Sequence, residues 1–245
     1  MTQGKLIALE GIDGSGKGTQ SRILADKLYF SGLTSYTLSF PRYGNPAAHF
    51  VEAYLRGEYG PPTELDPRVS SFFYAHDRRM AKDEINMHLE EGHIVVCDRY
   101  VGSNLAHQGG KFAGCGEKQR EIRHAFFAWL EEFEYGFYGM PRPDISPTLF
   151  IPPKKSESLV LKKEAREHLH GAKLDGHEND TGHLSATDIT YRELTSYFPS
   201  KYVPVECFDG DRHRSDEEIH KLIWKIVAPV VGCQRKAKKY QQNKP

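Results

Sequence analysis

Nine consecutive residues carry the most specific chemistry in this chain: Gly11-Ile12-Asp13-Gly14-Ser15-Gly16-Lys17-Gly18-Thr19. Glycines at 11, 14 and 16 permit backbone angles that a side chain forbids, so successive N–H groups can turn inward around an anion. Lys17 can reach the outer phosphates as a point charge. A helical pattern begins at once, and its N-terminus adds partial positive charge at the same point. Such a loop holds the phosphates of a nucleoside triphosphate, here read as ATP with Mg2+, through Gly11, Asp13, Gly14, Ser15, Gly16, Lys17, Gly18 and Thr19. The bland alternative is a glycine turn before a helix, but strand, loop, lysine and helix all agree. One position departs from the usual pattern. Gly18 stands where Ser or Thr normally follows the lysine, and the hydroxyl comes one residue later, so magnesium is expected to rely on water and on carboxylates such as Asp98.

Triphosphate binding alone does not name a reaction. Three further segments narrow it: Phe40-Pro41-Arg42, Phe73-Tyr74-Ala75-His76-Asp77-Arg78-Arg79, and the run from Asp98-Arg99-Tyr100 through Ser103, Asn104, His107 and Gln108. They supply arginines, an aromatic face and amide or hydroxyl groups, which is what a second phosphate, a flat base and a polar base edge require. Tyr74 and Arg78 are one helical turn apart and share a face. Phe73 reads better as a core aromatic, Arg79 as a surface or salt-bridge residue, and His49, His88, His93 and His124 receive no role. Asp98 is open to a second reading, as a structural partner of Arg99.

The elements that must position these residues form a simple series. Short β-rich runs at Lys5–Leu9, Ser35–Phe40, His93–Asp98, Thr148–Ile151 and Val203–Phe208 have the apolar composition of strands in a parallel sheet. Between them lie helical patterns over Thr19–Tyr29, Ser70–Glu91 with Gly92 as its stop, Arg120–Glu134, Ser156–His170 and Thr187–Phe198. A final helix starts at Ser215, where Ser215 and Glu218 have capping-box spacing. Alternation of this kind predicts an α/β fold, a doubly wound five-stranded parallel sheet flanked by helices. Open sheets of that type place ligands at the carboxyl ends of their strands, where Arg42 and Asp98 both fall.

With these motifs in this order, the chain resembles the thymidylate kinases, from Leu6 to about Trp224. The resemblance rests on Leu9-Glu10-Gly11-Ile12-Asp13-Gly14-Ser15-Gly16-Lys17-Gly18-Thr19-Gln20-Ser21, Phe40-Pro41-Arg42, Asp98-Arg99-Tyr100 with Ser103, and Arg142-Pro143-Asp144. It implies a P-loop nucleoside monophosphate kinase architecture with a mobile lid, and transfer of a phosphoryl group from ATP to dTMP. It further implies that Asp13 accepts the 3′-hydroxyl of the acceptor and shares magnesium with Asp98. Tyr74 would stack on thymine, Arg78 and Asn104 would meet its edges, and Arg42 and Arg99 would clamp the monophosphate. Phe40, Ser103, His107 and Gln108 belong to the same dTMP set. His107 stands where the family often has an aromatic against the sugar's 2′ carbon. Because the loop has Gly14 where some members carry an arginine, the catalytic cation is expected in the lid, about 162–182. Arg166 and Lys173 are favoured there beside Lys17, Asp13 and Arg99 as catalytic residues, although such charges also suit a solvated helix. Homodimerisation is implied by the resemblance alone.

Composition sets the outer limits. The 245 residues suit one large α/β domain, taken as 1–233 with a polar, basic tail over 234–245. A formal net charge of +0 gives the chain no electrostatic reason to coat nucleic acid or an acidic membrane. The tail's lysines and arginine read as a solubilising end rather than a nucleic-acid contact. No apolar run is long enough to span a bilayer, nothing at the start resembles a signal peptide, and the four cysteines lack metal-ligand spacing. A reducing cytoplasm is the expected compartment. Two other readings stay open: a kinase of another pyrimidine nucleotide or deoxynucleoside, and a noncatalytic P-loop module. The second-substrate set argues against the latter.

Overall fold

A computed structural model describes residues 3–112, 114, 116–156, 159 and 181–233. Five parallel strands form one sheet in the order β2-β3-β1-β4-β5: β1 (Lys5–Gly11), β2 (Ser35–Ser39), β3 (Ile94–Asp98), β4 (Ser146–Phe150) and β5 (Tyr202–Glu206). The expected doubly wound sheet is thus present. β1, β3 and β4 are buried on both faces, whereas β2 and β5 sit at the edges and are partly exposed. Register aligns Leu9 with Asp98 and Ser39 with Asp98, which brings the carboxyl ends of β1, β2 and β3 level. From β1 the chain moves toward β2 on one side, and from β3 it moves to β4 on the other. The switch point therefore lies between β1 and β3, where such sheets open a crevice.

The helices follow from apolar spacing and caps. α1 (Lys17–Phe30) buries Leu24 and Leu28 against the sheet, as their spacing predicts. α2 (His49–Leu55) was not marked by the sequence patterns. The stretch expected as one helix over Ser70–Glu91 is two, α3 (Pro67–Met80) and α4 (Lys82–Glu90), separated at Ala81 with φ −96° and ψ −4°. Asp66 caps α3 by accepting from the Arg68 N–H, and Pro67 at its first position starts it earlier than predicted. α5 (Val101–Gly109) leaves β3 and packs on α3 and α7 (Thr181–Tyr197). α6 (Glu117–Glu131) continues into a π-helical stretch, Glu132–Phe137, that carries Glu134 inward. α8 (Asp216–Val230) begins at Ser215 with the predicted capping box complete, and buries Ile219, Ile223 and Val227. The predicted last strand is shorter: Phe208 belongs to a two-residue ribbon with Arg212–His213, not to β5. Of the helix expected over Ser156–His170, all but residues 156 and 159 lie outside the described residues, as does the tail from 234.

Arg142-Pro143-Asp144 has a structural task at the other end of the sheet. The Asp144 carboxylate accepts from the Leu6 N–H at 2.9 Å and from Lys5 Nζ at 2.7 Å, fixing the start of β1.

Candidate functional site

The loop after β1 takes the conformation its glycines allow. Gly14 and Gly16 have φ of 72° and 88°, a region closed to most side chains. At Gly11 a Cβ would lie 2.5 Å from the Leu149 carbonyl oxygen, so only glycine fits beneath β4. Lys17 is 6% exposed and donates to the Ile12 carbonyl at 2.8 Å and Ser15 Oγ at 3.3 Å. Its ammonium therefore lies against the loop it is meant to complete. Burial, followed by the neighbouring Arg99 charge, brings its pKa down to about 8, against the opposing pull of Asp13 and Asp98. A Cβ on Gly18 would meet Asp98 Oδ2 at 3.1 Å.

Across the switch point, Arg99 follows β3 with φ 66°, the one non-glycine residue with positive φ among those described. Such a conformation costs on the order of 1–3 kcal/mol and persists only where surroundings impose it. Here they do. The Arg99 N–H donates to the Leu9 carbonyl at 3.0 Å, and the next N–H, of Tyr100, donates to Glu10 Oε1 at 3.0 Å. The Arg99 guanidinium pairs with Asp13 Oδ1, donates to the Gly11 carbonyl at 3.3 Å, and lies 3.2 Å from His107 Nε2. One side chain thereby joins the phosphate loop to α5. Burial works against charge on both partners. The pairing outweighs it, holding the Asp13 carboxyl well below the usual carboxylate range and Arg99 firmly protonated. His107 Nδ1 is 3.3 Å from His183 Nε2 on α7.

Glu10 supports this arrangement from below. It is fully buried, and its second oxygen accepts from Ser103 Oγ at 2.6 Å and the Tyr191 hydroxyl at 3.2 Å. Burial dominates its titration and raises its pKa despite those bonds.

The remaining arginines are held by carboxylates that sequence reasoning did not pair with them. Asp77, 1% exposed, accepts from the Arg42 backbone N–H at 2.9 Å and from its Nε at 2.8 Å. Phe40 is buried, with the Arg42 guanidinium 5.8 Å from its ring centre; it is a platform for Arg42. Arg78 is 2% exposed and donates through Nε and Nη2 to Glu134 at 2.6 and 2.5 Å. Asn104 donates to the same carboxylate at 2.9 Å and to the Ser71 carbonyl at 3.1 Å, while its own Oδ1 is buried with no partner among the described residues. Gln108 accepts from Ser70 Oγ at 2.7 Å, and Lys111 donates to that hydroxyl at 3.0 Å. Tyr74 is half-buried, its ring edge-on to Tyr54 at 6.0 Å.

The structure thus gathers Asp13, Lys17, Asp98, Arg99, Ser103 and His107 into one wall. Arg78 and Asn104 form a second group around Glu134, and Arg42 a third with Asp77. Arg166 and Lys173 lie outside the described residues. Sequence reasoning missed Glu10, Asp77, Glu134 and His183. For Glu10 a signal existed, a carboxylate inside an otherwise apolar strand; for Glu134 there was none.

A parallel sheet with a glycine-rich anion loop after its central strand, opposed across the switch point by a basic turn, defines the P-loop phosphotransferase class of α/β proteins. The family model for thymidylate kinase matches residues 9–124. A thymidylate kinase of Roseiflexus castenholzii is 30% identical over 238 residues, covering 92% of this chain and 93% of that one. One from Halalkalibacterium halodurans is 34% identical over 209 residues, covering 84% and 90%. The solved structure of the Candida albicans thymidylate kinase superposes with a TM-score of 0.67 at 21% identity, covering 95% of this chain and 94% of that one. The chain belongs to the thymidylate kinase family.

Proposed function

We propose that the protein transfers the γ-phosphoryl group of ATP to dTMP, giving ADP and dTDP by direct in-line displacement without a covalent enzyme intermediate. The observation that carries this reading is Arg99: its strained backbone and its pairing with Asp13 set the acceptor-side turn against the donor-side loop. A kinase needs that adjacency and a simple nucleotide switch does not. Phosphoryl transfer demands mainly position and positive charge. Lys17 and the loop N–H groups would hold the phosphates of ATP, and Arg99 with Arg42 the acceptor's monophosphate. Asp13 and Asp77 keep those two guanidinium planes aimed.

The acceptor base would lie beside Tyr74, a contact worth roughly 1–3 kcal/mol in other stacking sites. Asn104 Oδ1, buried without a partner among the described residues, suits the N3–H of thymine. Arg78, with two of its donors on Glu134, serves that edge chiefly by fixing the carboxylate that orients Asn104. Ser103, His107 and Gln108 complete the acceptor wall.

Asp98 fits magnesium: its Oδ1 is buried without a partner among the described residues, at the carboxyl end of β3. Asp98, with Asp13, would hold the ion, which when bound neutralises charge between phosphate oxygens. A lid cation, Arg166 or Lys173, completes the charge around the moving group, worth about 10³–10⁵ in rate in related phosphoryl transfers. The reading includes a homodimer, which light scattering tests. No described helix is long and apolar enough to cross a membrane.

The deciding experiment is a coupled ADP-release assay against dTMP, dUMP, UMP, CMP and AMP. Turnover is expected to be highest with dTMP. Background with all five overturns the kinase reading, and a preference for another pyrimidine nucleotide overturns the substrate.

A further inference from the structure

At the end of the sheet away from Gly11 and Arg99, three side chains converge on one point. His88 Nδ1 is 3.0 Å from His93 Nδ1, and Glu91 Oε2 is 3.6 Å from the first and 3.4 Å from the second. The backbone brings them together. α4 ends in a Schellman turn: Gly92, φ 82°, donates its N–H to the Leu89 carbonyl at 3.1 Å, and His93 donates its N–H to the His88 carbonyl at 2.9 Å. That turn places the side chains of its third-from-last helical residue and its second following residue face to face. Such a pair is commonly apolar, but here both positions are histidine, with the capping residue Glu91 beside them.

A single hydrogen satisfies one edge of this triangle. Imidazole nitrogens 3.0 Å apart can share one proton, but the edges to Glu91 are too long for good hydrogen bonds. A divalent ion satisfies all three at once. Ligand atoms about 2.0–2.1 Å from a tetrahedral zinc ion lie roughly 3.3–3.4 Å from one another, which the observed 3.0, 3.4 and 3.6 Å edges bracket. The orientation is supported as well. The His88 ring stacks on Tyr36 with centroids 3.7 Å apart, and the Tyr36 hydroxyl donates to Glu84. Support of ligating rings by their surroundings is what holds metal sites in register.

We propose that His88, Glu91 and His93 form a zinc site, with water from the exposed Glu91 side as fourth ligand. Imidazole with one carboxylate favours zinc over magnesium, which prefers an all-oxygen shell. The site is structural. His93 immediately precedes β3, so the length of that strand, about 16 Å at roughly 3.3 Å per residue, separates it from Arg99. It would pin the end of α4 to the edge of the sheet that β2 and β3 form.

The test uses untagged full-length protein, stripped of metal and titrated with zinc by calorimetry, with Co2+ absorbance reporting a four-coordinate ion. Wild type is expected to bind one equivalent more than His93→Ala. At free zinc a hundredfold above its Kd, wild-type Tm should rise by about 5–10 °C. Glu91→Gln, at an exposed position that leaves the fold untouched, should weaken binding at least tenfold. Kinase turnover at saturating ATP and dTMP should not change in either variant. Absence of saturable micromolar binding overturns the proposal, as does equal zinc stoichiometry and affinity in wild type and both variants.

Discussion

Glu134→Ala is the perturbation whose outcome depends most directly on the observed packing. Glu134 is fully buried and Arg78 is 2% exposed, so neither charge has water to fall back on. Burial works against the Arg78 charge, and Glu134 restores it through two hydrogen bonds at 2.5 and 2.6 Å. Asn104 adds a third bond to the same carboxylate at 2.9 Å. Removing one partner of such a pair leaves an uncompensated buried charge, at about 3–5 kcal/mol. In a protein of this size each kcal/mol moves Tm by about 2–4 °C, so Tm should fall by roughly 6–20 °C. Urea unfolding should show a lower midpoint with little change in m. The double variant Arg78→Met/Glu134→Leu fills the space with apolar groups and should regain most of the loss. Steady-state kinetics on the milder Glu134→Gln should then show KM for dTMP rising more than KM for ATP, because Asn104 and Arg78 are left competing for a single acceptor oxygen. A Glu134→Ala cost below about 1 kcal/mol would refute the buried pair. Equal rises in both KM values would refute the link from Glu134 to the acceptor base.

Two further outcomes concern the loop and its support. Lys17→Ala should abolish turnover while leaving the circular dichroism spectrum intact, and a near-normal rate would remove Lys17 from the site. Because burial and Arg99 bring the Lys17 ammonium of the free protein down to about 8, wild-type kcat/KM for ATP should decline as pH rises through that value; its folded pKa lies below the ordinary 10.5, so its contribution to stability grows between the two. Glu10→Gln separates charge from shape. The folded carboxyl binds its proton more tightly than the unfolded one, whose ordinary value is 4.5, so the cost of its ionisation grows as pH climbs above that value. Stability measured from pH 4 to 8 should shift in favour of the glutamine variant as pH rises, and a shift the other way would contradict the burial argument.

Linear features were legible and tertiary pairings were not. The loop from Gly11 to Thr19, the strand cores and the Ser215 cap each depend on neighbours within a few residues, and each is where the pattern placed it. The break at Ala81 had no Gly or Pro to announce it. It splits the segment so that α3 carries Asp77 and Arg78 toward the site while α4 returns to the sheet edge. Arginine chemistry was the harder ambiguity. Arg42, Arg78 and Arg99 offer the same guanidinium whether the partner is a phosphate or a protein carboxylate. Asp77, Glu134 and Asp13 lie 35, 56 and 86 positions away from them along the chain. Only the fold reveals that each arginine is already aimed by an acid. The lid cations, argued from the resemblance and from the basic composition of that stretch, stay a proposal.

The missing hydroxyl after Lys17 has a spatial explanation. The place where a serine or threonine Cβ would begin at position 18 is 3.1 Å from Asp98 Oδ2, closer than atoms of that kind comfortably sit. A side chain there and the carboxylate at the end of β3 would therefore compete for one small volume, and this chain gives it to the carboxylate. The glycine is better understood as clearance than as a lost ligand. Restoring the commoner residue by Gly18→Ser would add a hydroxyl at the expense of a shift of the Asp98 carboxylate by a few tenths of an ångström.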